Sequence, residues 1–259
     1  MKNFYLVGKN INNSLSPFIH NYIFNSLKIN AIYKLYQVDT IKDCLDFIKQ
    51  SSKNNIDGIN ITNPFKKEIL PHIHEIYKAD SKIKAINCLS FNKDKIIGHN
   101  TDWVGFLKMV EINNISFDNK DVHIIGDGGS FKAIFFVLKS FYRANIKLYN
   151  RQNIDTLMTK NLNKNSVVIN CTPKHFLEDS NKFRDYFINR NFLWIDLLYT
   201  KLSTENYLIL NENHKQFYLN GIDMLIFQAI ESINIWLRKD IHKNVDLYNI
   251  KQKLKGIEC

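Results

Sequence analysis

Two short segments hold the residues best suited to acid–base chemistry, Gly58-Ile-Asn-Ile-Thr-Asn-Pro-Phe-Lys66 and Gly98-His-Asn-Thr-Asp102. Each sets one ionisable side chain, Lys66 or Asp102, after a run of small hydrogen-bonding residues and just before a stretch that reads as a helix. An ammonium and a carboxylate placed this way can bind a polyhydroxylated substrate and move a proton to or from it. A third segment, Val122-His-Ile-Ile-Gly-Asp-Gly-Gly129, reads as a strand entering a glycine-rich turn. Glycines let the backbone approach a pyrophosphate, and the next helix N-terminus offers amide donors with a partial positive charge. A proton-transfer site followed by a nucleotide loop is the combination a dehydrogenase needs.

Each of these residues also has a plainer reading. Lys66 would lie in the first turn of a helix opening at Asn63-Pro64, where the helix dipole disfavours added positive charge; beside Lys67 and Glu68 it also reads as an ordinary exposed lysine. Asp102 and Ser16 suit helix N-caps, and Asn60, Thr62 and Asn87 are turn or capping types. The run Gly126-Asp-Gly-Gly129 departs from Gly-x-Gly-x-x-Gly, so a simple tight turn accounts for it too. Arg151 follows the next strand, where an NAD-specific fold usually has an acidic residue for the ribose 2′-hydroxyl. An arginine there favours NADP through its 2′-phosphate, the alternative being a solvated surface arginine. Gln228 is a polar residue in an apolar helix and faces either solvent or a pocket. His20 and His99 flank the segments and carry no assigned role.

The elements that must position these residues follow from hydrophobic periodicity. Phe4 to Val7 reads as a buried strand, followed by a helix opening at Ser14-Leu-Ser-Pro17 with Ser16 as N-cap and Pro17 at the first helical position. Tyr33 to Val38 is a strand, Ile41 to Gln50 a helix, and Ile56 to Ile61 a third strand, so the order predicts α/β layers. From Asp121 the pattern restarts: strand Val122 to Ile125, glycine turn, helix Phe131 to about Phe141, and strand Ile146 to Tyr149. This is a βαβ unit of the size of half a dinucleotide fold. Val167 to Asn170 and Leu193 to Leu197 are continuously apolar and predict further parallel strands. Met224 to Leu237 reads as a long apolar helix after Gly221, and the asparagine-rich patches at Asn113-Asn114 and Asn161 to Asn165 read as loops.

Composition narrows the function classes. The 259 residues carry a formal net charge of +10, yet lysine is scattered among Asn and Ile with no basic cluster or reader motif, which argues against a nucleic-acid partner. Cys44, Cys88, Cys171 and Cys259 are far apart and lack metal-ligand spacing, which fits a reduced cytoplasmic compartment and no metal. No apolar run reaches the roughly 18 residues of a spanning helix, so no membrane association is expected.

Taken in order, these residues resemble the shikimate dehydrogenase family over nearly the whole chain. Ser14-Leu-Ser-Pro17 with His20-Asn21 is similar to its substrate-carboxylate segment and Asn60-Ile-Thr-Asn-Pro-Phe-Lys66 to its catalytic-lysine segment. Ala85-Ile-Asn87, Gly98-His-Asn-Thr-Asp102, Gly126-Asp-Gly-Gly129 with Ala133, Asn150-Arg151, Asn170-Cys-Thr-Pro173, Asp196-Leu-Leu-Tyr199 and Gly221 through Gln228-Ala229 follow in the family's order. The resemblance implies reversible NADP-dependent reduction of 3-dehydroshikimate to shikimate, with Lys66 and Asp102 as the catalytic pair. It implies that Ser14, Ser16 and Tyr199 hold the carboxylate and that Asn60, Thr62, Asn87, Asp102 and Gln228 hold the hydroxyls. Gly126, Gly128, Gly129, Ser130, Asn150, Arg151, Thr172 and Gly221 would hold the cofactor. It also implies a two-domain α/β protein, monomer or homodimer: an N-terminal substrate-binding domain over 1–101 completed by 221–259, and a Rossmann-like NADP-binding domain over 102–220.

Three departures from the family pattern matter. Asp127 stands where the family usually has alanine, and a carboxylate beside a pyrophosphate is unfavourable unless it faces solvent. Gln152 and Asp155 replace a threonine and a second arginine, leaving the 2′-phosphate clamp half present and NAD as a further cofactor to consider. The stretch Arg151 to Asn170 is short, which predicts a trimmed crossover helix. Two alternatives follow: a quinate/shikimate enzyme with relaxed cofactor use, and an inactive ligand-binding module.

Overall fold

A computed structural model describes residues 1–51, 55–78, 80–93, 95–173, 181–188, 190–199 and 218–255. The chain divides into two compact units, Met1–Lys108 with Leu225–Cys259, and Met109–Met224. Cys259 lies outside the described residues.

The first unit is built on a six-stranded sheet of β1 (Lys2–Gly8), β2 (Ala31–Gln37), β3 (Gly58–Ile61), β4 (Glu75–Ile76), β5 (Cys88–Asn92) and β6 (Lys95–His99), in the order β2-β1-β3-β5-β6-β4. β1 pairs parallel with β2 and β3, as alternation with the helices Ser16–Ser26 and Ile41–Lys49 requires. β5 is antiparallel to both β3 and β6, a hairpin that the strand–helix reading did not contain. Val7, Ile59, Ile61, Phe47, Ile48, Phe65 and Leu89 are among the core side chains of this sheet. Gly58 faces Trp236 of the long helix Ile222–Leu237. A Cβ there would lie 2.3 Å from the Trp236 indole nitrogen, which donates to the Leu89 carbonyl at 2.9 Å.

Two local expectations need correction. No α-helix opens at Asn63-Pro64: the peptide between them is cis and the chain runs through turns until the short 3-10 helix Leu70–His72. The Phe65 amide donates to the Thr62 carbonyl at 3.0 Å, so proline occupies the third position of a turn rather than the first turn of a helix. Lys66 therefore sits in a turn, and the helix-dipole argument made for it lapses. Ser16 is likewise not an N-cap but the first residue of its helix, buried, and its amide donates to the Ser14 hydroxyl oxygen at 3.2 Å. Ser14 is the residue that satisfies the exposed helix end.

The second unit is a five-stranded, all-parallel sheet of β7 (Asp121–Ile125), β8 (Asn145–Tyr149), β9 (Ser166–Asn170), β10 (Leu193–Asp196) and β11 (Tyr218–Asn220), in the order β11-β10-β9-β7-β8. β9 is buried throughout, as a central parallel strand should be. The helix after β7 begins at Gly129, two residues ahead of the expected Phe131. The crossover from β8 to β9 carries only the 3-10 helix Ile154–Thr159, in keeping with its short length. Leu157, Val168, Phe187 and Trp194 pack together in this unit's core.

In both sheets the first strand lies between the next two. The chain leaves β1 for β2 on one side and later returns to β3 on the other, and β7 stands in the same relation to β8 and β9. Such switch points open a crevice at the carboxyl ends of the strands. The first strand is followed by glycine in one case and ends in it in the other. A Cβ on Gly8 would lie 2.3 Å from the Thr62 methyl, and one on Gly126 would lie 2.7 Å from the Thr172 methyl.

Candidate active site

Lys66 and Asp102 meet in the first unit. Lys66 Nζ donates to Asp102 Oδ2 at 2.6 Å, with the two side chains only 11% and 7% exposed. The Lys66 carbonyl accepts the Ile86 amide at 2.8 Å, which ties the lysine turn to the Ala85-Ile86-Asn87 segment. Asp102 is the first residue of the helix Asp102–Ile112. The cap role falls to Asn100, whose Oδ1 accepts the Trp103 amide at 3.2 Å while its Nδ2 donates to the Ala85 carbonyl at 2.8 Å. Asp102 is thus left to face its side-chain partners.

Asn87 organises the other side of the carboxylate. Its Nδ2 donates to Asp102 Oδ1 at 2.8 Å and to Thr101 Oγ1 at 2.9 Å, and its Oδ1 accepts the Thr101 amide at 2.7 Å. Asn60, on β3, donates from Nδ2 to the Asn87 carbonyl and to Ser232 Oγ, both at 3.0 Å, and accepts from the Tyr33 hydroxyl at 2.8 Å. Asn60, Lys66, Asn87 and Asp102 therefore form one buried hydrogen-bonded cluster. Gln228 is buried too, its Nε2 donating to the Leu225 carbonyl at 2.8 Å. Thr62 is half-buried beside Gly8, and Ser14 and Ser16 lie at the helix start already described.

Tyr33, Thr101 and Ser232 were not anticipated. Tyr33 reads as an apolar strand residue and Ser232 as an ordinary helix residue; the only local signal was a serine four residues after Gln228, on the same helix face. Nearby imidazoles are neutral at pH 7. Burial lowers His99 to about 4, and its Nε2 lies 2.9 Å from Ser90 Oγ. Burial lowers His20 to about 3 against a bond from Nδ1 to the Ser16 carbonyl, and its ring stacks on Tyr33 at 3.8 Å. Asp80 is shifted upward by burial, offset by hydrogen bonds from the Asn100 backbone and the Trp103 indole.

In the second unit, the loop after β7 has the features of a phosphate cradle. Gly126 adopts φ +99°, which L side chains rarely take. Gly128 is exposed, with nothing within 4 Å of where a Cβ would sit. The helix Gly129–Phe141 starts from Gly128 without a side-chain cap, and Gly129 and Ser130 form its first turn. Asp127 is exposed. Thr172 follows β9 across the switch point, and its amide and hydroxyl both donate to Asn170 Oδ1, at 3.0 and 2.8 Å. Asn150, just past β8, accepts the Gln152 amide at 2.9 Å in a local turn, which projects Arg151 into solvent. Asp155 is 77% exposed and pairs with Lys182 at 3.5 Å. Tyr199 is half-buried past β10. Gly221 is packing-constrained, because a Cβ would lie 2.3 Å from the Leu197 carbonyl oxygen.

Comparison with known proteins points to one family. Residues 6–89 match the model of the shikimate dehydrogenase substrate binding domain. The chain is 36% identical over 248 residues to a shikimate dehydrogenase (NADP(+)) of Clostridium botulinum strain Hall, with 89% of this chain and 95% of that protein covered. It is 31% identical to the enzyme of the same name from Staphylococcus aureus strain MSSA476, with 98% and 99% covered. A chorismate mutase/shikimate 5-dehydrogenase fusion protein from Clostridium acetobutylicum superposes with a TM-score of 0.80 at 27% identity, over 98% of this chain and 96% of that one. Relatives matched nearly end to end place the chain in the shikimate dehydrogenase family.

Proposed function

We propose that this protein reversibly reduces 3-dehydroshikimate to shikimate with NADPH, and that Lys66 and Asp102 are its proton-transfer pair. The observation that carries the reading is the 2.6 Å buried contact between them within a cluster of asparagine and threonine side chains. The residues present fit a dinucleotide: Gly126 and Gly128 allow close backbone approach, and the uncapped start of the helix Gly129–Phe141 supplies donors for phosphate. Gly129, Ser130, Thr172, Asn150 and Arg151 complete the proposed set, with Arg151 available to a 2′-phosphate and Gly221 shaping the backbone nearby. When bound, NADPH supplies the hydride.

The rest of the chemistry belongs to the chain. As the ketone oxygen gains negative charge, the Lys66 ammonium stabilises it and delivers the proton; in the reverse direction the lysine takes the proton back. Asp102 holds Lys66 in place, and Asn87 occupies the other carboxylate oxygen so that Oδ2 stays turned to the lysine. Ser14, Ser16 and Tyr199 are assigned to the substrate carboxylate. Because Ser14 Oγ already accepts the Ser16 amide, its own hydrogen remains to be donated. Asn60, Thr62, Asn87, Asp102 and Gln228 are assigned to the hydroxyls. The first unit would thus be the substrate domain and the second the NADP domain, in a cytoplasmic enzyme that works as a monomer or homodimer.

The test is turnover of purified protein with shikimate and NADP+, followed by nicotinamide absorbance, with quinate and NAD+ as comparison arms. Protein that binds shikimate yet reduces neither cofactor would overturn the enzyme reading.

A further inference from the structure

Ser232 joins the two asparagines of the cluster and determines what they can offer a ligand. It is fully buried in the helix Ile222–Leu237. Asn60 Nδ2 donates to its Oγ at 3.0 Å, Thr101 Oγ1 lies 3.2 Å away, and Ser232 Oγ donates to the Gln228 carbonyl at 2.9 Å. A serine hydroxyl has one hydrogen and two acceptor sites. The Gln228 carbonyl can only accept, so the Ser232 hydrogen goes to it and Thr101 is the donor in the Thr101–Ser232 contact; the Cys88 thiol also meets the Ser232 hydroxyl. Thr101 Oγ1 is then the acceptor for Asn87 Nδ2, and the chain of hydrogen bonds runs one way from Asn87 through Thr101 and Ser232 to Gln228.

The count of hydrogens follows. Asn87 gives its two amide hydrogens to Asp102 and Thr101, and Asn60 gives its two to the Asn87 carbonyl and Ser232. Each amide oxygen accepts one bond, from the Thr101 amide and the Tyr33 hydroxyl respectively, and an amide oxygen has room for two. Neither asparagine has a hydrogen left to donate.

We infer that Ser232 is a positioning residue that takes up the last Asn60 hydrogen and draws the Thr101 hydrogen away from Asn87, so that both asparagines meet the substrate's non-reacting hydroxyls as acceptors only. This rests on the assignment of both asparagines to those hydroxyls. Removing the Ser232 hydroxyl leaves an Asn60 hydrogen and the Thr101 hydrogen without their acceptor in a buried site, so Asn60 regains a hydrogen to donate and the Thr101 hydroxyl is free to turn toward Asn87.

The experiment compares kcat/KM for shikimate with that for analogues lacking one or the other non-reacting hydroxyl, in wild type, Ser232→Ala and Ser232→Thr. Wild type is expected to disfavour at least one analogue. In Ser232→Ala that preference should shrink roughly tenfold, the scale of leaving a buried polar group unpaired, with the change mainly in KM and both limbs of the pH profile unmoved. Threonine can make the same bond to the carbonyl four residues back, so Ser232→Thr should restore the preference. An unchanged preference in Ser232→Ala, with activity on all substrates falling in parallel, overturns the inference and leaves a packing role. If Ser232→Ala does not fold, Thr101→Val breaks the same chain from the Asn87 side and is read by the same criterion. A wild type indifferent to both missing hydroxyls instead overturns the asparagine assignment itself, a different result from loss of the Ser232 role alone.

Discussion

Lys66 Nζ lies 2.6 Å from Asp102 Oδ2 in a setting where neither side chain is more than 11% exposed. A buried pair of this kind is sensitive to loss of one member, because the other is left as an uncompensated charge. Lys66→Ala is expected to lower kcat by roughly 10²- to 10⁴-fold, the usual worth of a positioned acid/base, with KM little changed. Steady-state kinetics with shikimate and NADP+ check this, and a loss confined to KM would demote Lys66 to a binding residue. The same substitution should cost about 3–5 kcal/mol in denaturant unfolding, and replacing both members by apolar residues should recover much of that.

The buried histidines give the fold an acid-sensitive stability. His20, His99 and His123 have folded values near 3, 4 and 4, all lowered first by burial. Their unfolded value is about 6.5, so between these limits the unfolded chain binds more protons and stability rises with pH. Stability should therefore decline as pH falls below about 6.5, each group contributing a slope of at most about 1.4 kcal/mol per pH unit. His20→Phe should flatten the slope of unfolding free energy against pH. An unaltered slope in urea titrations at several pH values would count against His20 as a contributor.

Two glycines of the same loop should behave differently. Gly126→Ala places a side chain at φ +99° and 2.7 Å from the Thr172 methyl, and should destabilise the protein by about 1–3 kcal/mol. Gly128→Ala meets open space at φ −71° and should leave stability within about 0.5 kcal/mol. Its methyl would stand in the proposed path of the pyrophosphate, so KM for NADPH should rise. Thermal unfolding together with cofactor titration separates the two effects, and a Gly128→Ala enzyme with ordinary KM would move the cradle elsewhere.

Arg151 and Asp155 set the adenosine end of the cofactor reading. Arg151→Ala should raise KM for NADPH roughly tenfold, the scale of a charge-assisted contact to phosphate, and leave KM for NADH unchanged. Asp155 holds an exposed pair with Lys182, which contributes little to stability. Asp155→Arg should therefore increase the preference for NADP at no cost to folding. Equal response to both cofactors in either variant would argue that the 2′-phosphate lies elsewhere.

The strands were legible because their apolar runs are dense: Val122 to Ile125 and Val167 to Asn170 appear within one residue of their observed starts. The turn at Asn63-Pro64 was not, because a proline after a strand suits both a helix start and a tight turn, and sequence alone does not set the isomer. The β5–β6 hairpin escaped notice because Cys88-Leu-Ser-Phe-Asn92 and Lys95-Ile-Ile-Gly-His99 are short and no Asn-Gly or Asp-Gly marks their turn. Among site residues, Lys66, Asn87 and Asp102 were found through their ordered occurrence in a family pattern, since each alone reads equally as an exposed lysine, a turn residue or an N-cap. Tyr33, Thr101 and Ser232 were not, since each acts through a contact made only after distant segments are brought together, Ser232 and Asn60 being 172 residues apart.

Gly8 with Thr62 and Gly126 with Thr172 are the same notch cut twice: a glycine without a side chain receives a threonine methyl from the strand that returns on its other side. In each pair the methyl does the fitting, while the hydroxyl on the same carbon is a separate group. Valine would fill either notch with the same methyl and put a second methyl where threonine has its hydroxyl. Thr62→Val and Thr172→Val therefore offer, in one protein, two matched exchanges of a hydroxyl for a methyl, the second of which also removes the bond from the Thr172 hydroxyl to Asn170 Oδ1.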